Sequence, residues 1–77
     1  MNHYLVVFAR SKGEVLRYQE YRNRGDALEA RFAEERNHRD APDIEVVVLG
    51  ASSRDALMRT HARYFKRFDQ LADTTQG

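Results

Sequence analysis

Residues 59 to 68, Arg-Thr-His-Ala-Arg-Tyr-Phe-Lys-Arg-Phe, bring five basic or imidazole side chains together with three aromatics. Two kinds of chemistry use such a mixture. Exposed aromatics beside cations stack unpaired bases while phosphates are neutralised, and a polar, basic helix face enters the major groove of a duplex or grips its backbone. On a helical wheel with Leu57 at zero the two classes separate. Leu71, Tyr64, Leu57, Phe68, His61, Ala72, Phe65 and Met58 fall within an arc of about 140°, and Lys66, Arg59, Gln70, Arg63 and Arg67 occupy an adjoining arc of about 100°. Base stacking thereby loses most of its platform, because the aromatics turn toward a core or a subunit contact. Leu57, His61, Tyr64, Phe65, Phe68 and Leu71 are expected to form that stripe. Arg59, Arg63, Lys66 and Arg67 are left as a solvated face or as a site for nucleic acid or another anion.

The remaining chemical inventory is thin. His61 sits within the apolar arc with no His, Asp or Glu at a supporting helical spacing, so packing explains it better than catalysis. His3 and His38 do not make a metal set with it by spacing, and a His at the end of a helix suits the dipole there. Gly50-Ala51-Ser52-Ser53-Arg54 joins a strand to a helix, where free N–H groups, hydroxyls and an Arg can hold an anion. It lacks the lysine and multiple glycines of a P-loop and the second glycine of a G-x-S-x-G elbow, so ordinary capping accounts for the serines. Tyr18, Tyr21, Arg17, Arg22 and Arg24 describe a protein-contact patch or a charge-protected sheet edge. The chain has no Cys, which excludes disulfides and thiolate metal sites. No catalytic, metal or cofactor residue is therefore expected. A nuclease-like cleft between two subunits, lined by Arg, Glu and His61, is the residual enzymatic alternative.

The elements that would position these residues follow from periodicity. Tyr4-Leu5-Val6-Val7-Phe8-Ala9 is apolar on both alternation phases and reads as a central strand covered on two faces. Ser11-Lys12-Gly13 closes a hairpin, and Glu14 to Tyr21 mixes polar and apolar residues as a half-exposed strand does. Asp26, with Glu29 three residues on, has the form of an N-cap for a helix from Ala27 to His38. Leu28 and Phe32, assisted by Ala27, Ala30 and Ala33, would be its inward face. Pro42 ends that region. Ile44-Glu45-Val46-Val47-Val48-Leu49 is the strongest strand signal. Ser52 and Asp55 then open a helix from Ser53 or Arg54 to about Ala72.

The order β-β-α-β-α predicts an α+β domain: a three-stranded mixed sheet, made of a hairpin and one crossover strand, packed with two helices. Residues 1–73 would form the domain and 74–77 a frayed polar tail. A chain of 77 residues with 42% hydrophobic and 32% charged residues has a globular balance but a small core. Its net charge of +1 hides local polarity: five Arg/Lys against two Glu over residues 10–24, seven acids against three Arg over 26–45, and five Arg/Lys against one Asp over 54–68. Such polarity steers association with an anion or with another copy. The apolar run Tyr4 to Ala9 is too short for a signal segment or a membrane span, which points to a cytoplasmic protein.

These readings combine into an expected function. The chain should be a non-enzymatic binding module, a homodimer working through its last helix and a sheet face or edge, with nucleic-acid binding by the basic helix face as the alternative. The last helix decides between two arrangements. It either covers the second sheet face or lies beside the first helix and leaves that face to a second subunit.

Overall fold

The computed structural model describes residues 1–65. Lys66, Arg67, Phe68, Leu71 and Ala72 of the expected stripe and basic face, together with the tail 74–77, lie outside the described residues.

Three strands and two helices follow in the expected order: β1 (Asn2–Ala9), β2 (Glu14–Tyr21), α1 (Arg24–Asn37), β3 (Ile44–Ala51) and α2 (Arg54–Thr60). The sheet order is β2-β1-β3. β1 pairs antiparallel with both neighbours, Val6 facing Tyr18 on one side and Val47 on the other. The sheet is therefore not mixed: β2 and β3 run the same way, as a crossover through α1 requires, but β1 separates them and every ladder is antiparallel.

At the hairpin, Gly13 takes φ +61 and its N–H donates to the Arg10 carbonyl at 3.3 Å. This left-handed conformation is what glycine supplies at low cost. The register shifts between Val7 and Phe8, which face Arg17 and Val15, so Leu16 is an extra residue in β2. This bulge puts Val15 and Tyr18 on one face, whereas simple alternation would have grouped Leu16 with Tyr18, and it leaves Leu16 exposed.

β1 is buried continuously from Tyr4 to Ala9 because a helix covers each face. Tyr4, Val6 and Phe8 pack with Leu57, Tyr64 and Phe65, so α2 and the turn after it lie on that side. Leu5 and Val7 point the other way by alternation. Arg17 stands opposite Val7 in the ladder, and its Nη1 is 2.9 Å from Glu34 Oε1 of α1, which places α1 on that second face. The architecture is three layers, α1 over sheet over α2. The second of the two expected arrangements, with one sheet face left to a partner, is thus closed by the chain's own helices.

Both helices differ locally from the expected form. α1 begins three residues before Ala27: Asn23 Oδ1 accepts from the Gly25 N–H at 2.7 Å, leaving Asp26 within the first turn, where its charge still suits the dipole. Its buried positions are Ala27 and Glu34, seven residues apart, and not Leu28 with Phe32. Small Ala27 permits close approach to the sheet and Glu34 must reach Arg17, so the helix is rotated and Phe32 is 56% exposed. α2 is capped by Ser53, whose Oγ accepts from the Ala56 N–H at 3.1 Å. It stops at Thr60 instead of continuing unbroken, and a helical turn resumes over residues 62–65. The Thr60 hydroxyl donates to the Ala56 carbonyl at 2.9 Å, a back-bond that bends helices.

Among the described residues no helix is long and apolar enough to cross a membrane. The two helix faces make opposite demands on mutation. Leu57→Ala should cost about 3 kcal/mol in urea unfolding, as removal of a fully buried leucine does. Phe32→Ser should stay within about 0.5 kcal/mol for the dilute protein; a large loss there would mean that α1 packs through Phe32 after all.

Candidate functional site

Each functional candidate is positioned by β3 and by the elements on its two sides. Burial distinguishes β3 from β1: its residues Ile44 to Leu49 are all half-buried, because β3 is an edge strand. Beside it, on the α2 side, Leu49, Arg59, Thr60, His61, Arg63 and Tyr64 contribute to an open groove of about 550 Å³. On the α1 side, a smaller groove of about 340 Å³ has Glu35 of α1, with His38 and Arg39 just beyond its end, against Ile44 and Val46.

Glu45 is the polar centre of the hairpin end. Its Oε2 accepts the Tyr64 hydroxyl at 2.6 Å, and its Oε1 accepts Arg63 Nη2 at 2.8 Å and Arg10 Nε at 3.3 Å. The Arg63 guanidinium also lies 4.5 Å from the centre of the Tyr64 ring. The Tyr64 hydrogen bond, more than the two arginines, holds the Glu45 carboxyl below the usual carboxylate range against the opposing effect of burial. Burial and the Glu45 carboxylate push the Tyr64 hydroxyl up. The Tyr64 ring meets Phe8 edge-on at 5.2 Å, so the cluster ties the end of α2's segment to the sheet. Asp43 fixes the same end from below: it accepts the Ser11 N–H at 2.8 Å and the Ser11 hydroxyl at 2.7 Å.

The residues of the expected stripe divide. Leu57, Tyr64 and Phe65 are buried together. His61 is half-buried and closes α2, its N–H donating to the Leu57 carbonyl at 2.9 Å, and its ring borders the groove beside Leu49. Of the basic face, Arg59 and Arg63 are exposed on this side of the molecule. Arg63 is committed to Glu45 and Tyr64, while Arg59 has no side-chain hydrogen bond or ion pair among the described residues. Tyr18 is not an exposed binding aromatic: it stacks on Tyr4 at 5.8 Å and meets Phe65 edge-on at 5.7 Å. Its buried hydroxyl has no hydrogen-bond partner among the described residues, and burial raises its pKa. Arg17 lies on the opposite face with Glu34, away from Tyr18.

Sequence reading missed two features. Glu45 looked like the one flaw in an apolar strand; its partners are 35 residues before it and 18 and 19 after it, beyond any local pattern. The Arg17–Glu34 pair, with His38 Nε2 at 3.9 Å from Glu34, was equally hidden. The i, i+4 spacing of Glu34 and His38 was its only visible sign. Among the described residues no three His, Asp or Glu side chains gather as a metal site would need. Comparison with protein-family models, with curated proteins and with solved structures gave no match to this chain.

Two tyrosine substitutions test this geometry through opposite signs. Tyr64→Phe removes a donor to a carboxylate and should lower stability by about 1.5–3 kcal/mol. Tyr18→Phe removes an unsatisfied buried hydroxyl and should be neutral or stabilising in the same urea titration. The pH dependence follows from Glu45. Because its folded pKa lies below the unfolded one, its contribution is full above the ordinary carboxylate range and is lost as pH falls through the folded value. Glu45→Gln should therefore flatten the acid limb of stability against pH; an unchanged acid limb would mean that the cluster contributes nothing to folding.

Proposed function

We propose that the protein is a small, cytoplasmic, non-enzymatic binding module that docks an extended strand on the open edge of β3. The observation that carries this reading is the contrast between the two edges of the sheet. β2 carries a bulge and exposed Glu14, Arg17, Gln19 and Glu20, devices that discourage strand addition. β3 has Val46, Val47, Val48 and Leu49 in succession, with no proline, no bulge and no charge among them. An eight-residue edge with four consecutive apolar residues left bare is an aggregation hazard, so an edge of this kind is explained by a strand that covers it in use.

The edge also accommodates the homodimer expected from composition, now through strand pairing and not through a sheet face. The non-catalytic part of the reading is supported by Glu45, a carboxylate already occupied by three donors. Nucleic-acid binding by the α2 face has less support. Of its two described arginines, Arg63 is neutralised by Glu45.

Strand docking is testable with a synthetic eight-residue peptide of the β3 sequence, N-methylated at alternate residues so that only one of its edges can pair. In dilute protein it should shift the backbone amide resonances of Val46, Val48 and Gly50. Val48→Pro removes an N–H that points away from β1, keeps the β1 ladder, and should weaken peptide binding about tenfold or more. Shifts confined to the helices and indifferent to Val48→Pro would sink the reading.

A further inference from the structure

The phase of the β1–β3 ladder determines what the open edge presents. The Arg10 N–H donates to the Asp43 carbonyl at 2.9 Å, and Arg10 continues the register that pairs Ala9 with Ile44. Hydrogen-bonded and non-hydrogen-bonded pairs alternate along an antiparallel ladder. Glu45, Val47 and Leu49 therefore turn their N–H and C=O groups toward β1, and Val46, Val48 and Gly50 turn theirs outward. Ile44 offers only its carbonyl, because its N–H already donates to Ala41 at 3.0 Å.

The geometry points to a second copy of this chain as the occupant of that edge, β3 against β3, antiparallel, with Val47 on the two-fold axis. This deepens the strand-docking reading and rests on it. The strand that such an edge needs is unbulged, apolar on both faces, of equal length and itself in want of a partner. β3 meets each condition over Val46 to Leu49, whereas β2, equally long and also an edge, is bulged and carries exposed Glu14, Arg17, Gln19 and Glu20.

The register follows from the outward groups. Residues opposite one another in an antiparallel pair point to the same face, so the axis must pass through a residue and not between two. With Val47 on the axis, Val46 faces the partner's Val48, and the Gly50 N–H meets the one free outward group of the partner's Ile44, its carbonyl. About six backbone hydrogen bonds result, and all four outward residues of each strand take part. An axis through Val46 strands Gly50, and one through Val48 strands Ile44.

The side chains on both faces suit this arrangement. A two-fold axis normal to the sheet brings both copies of α1 onto the same face. Leu28 and Phe32 lie on the side of α1 that also carries Glu35 and Arg39, which border β3. The 56% exposed Phe32 thus faces the seam, where a twin helix would cover it. On the other face Glu45 comes opposite the partner's Leu49. Leu49 shares its groove with Arg59 and His61, so that groove of one copy adjoins the Glu45–Tyr64 cluster of the other.

The chain contains no Cys, so a single introduced thiol gives a clean readout. Val47 on the axis would be a non-hydrogen-bonded pair with its twin, with Cα atoms about 4.5 Å apart, inside the range that a disulfide spans. Val47→Cys should form a disulfide dimer under mild oxidation, and Gln19→Cys, at the middle of β2, should not. The unmodified protein should sediment at twice the chain mass at tens of micromolar, and Val48→Pro should shift that equilibrium about tenfold or more toward monomer. Preferential cross-linking through Gln19→Cys would overturn the inference. A strict monomer that still docks the β3 peptide at Val46 and Val48 would overturn the second copy and leave strand docking standing. A strict monomer that does not dock the peptide would remove both.

Discussion

Six consecutive buried residues in β1, from Tyr4 to Ala9, constrain everything else in the molecule. A strand apolar on both faces must be covered twice, and a short chain has few elements with which to do it. Here the covering is divided. Leu57, Tyr64 and Phe65 lie over Tyr4, Val6 and Phe8, and α1 lies over Leu5 and Val7. Placing β1 at the centre also makes both of its neighbours edges. Among the described residues the faces of the sheet are closed and its edges are open, so recognition of backbone would take place there.

The two edges are treated differently, and the difference is physical. β2 is bent by a bulge at Leu16 and lined with charge, while its Tyr18 ring, on the α2 side, is absorbed into a cluster with Tyr4 and Phe65. β3 keeps a regular register over its whole length. Its single charged residue, Glu45, is drawn inward by Tyr64, Arg63 and Arg10 and does not guard the edge. The same ionic cluster anchors the segment after α2, so one carboxylate both secures the fold and leaves the edge apolar.

Much of this was legible in the residue order. Uninterrupted apolar runs identified β1 and β3 and Gly13 marked the hairpin; Leu57, Tyr64 and Phe65 are buried and Arg59 and Arg63 exposed, although the single helix assumed by the wheel breaks after Thr60. What escaped depended on contacts distant in sequence. Hydrophobicity favoured Leu28 and Phe32 as the inward face of α1, but the need of Arg17 for Glu34 rotated the helix. Local spacing favoured Asp26 as a cap, although Asn23 three residues earlier made the bond. A crossover strand was correctly expected; that it would lie beyond β1, making the sheet antiparallel throughout, is a choice of neighbour that no local pattern encodes.

The central claim is that β3 bonds to β1 through one set of backbone groups and holds the alternate set open for a strand. Amide hydrogen exchange, followed residue by residue over a range of protein concentrations, tests it directly. Glu45, Val47 and Leu49 should be protected at every concentration. Val46 and Val48 should exchange freely in dilute solution and gain protection as concentration rises. Equal, concentration-independent protection of all five amides would contradict the account, because the edge would then be covered by the chain itself.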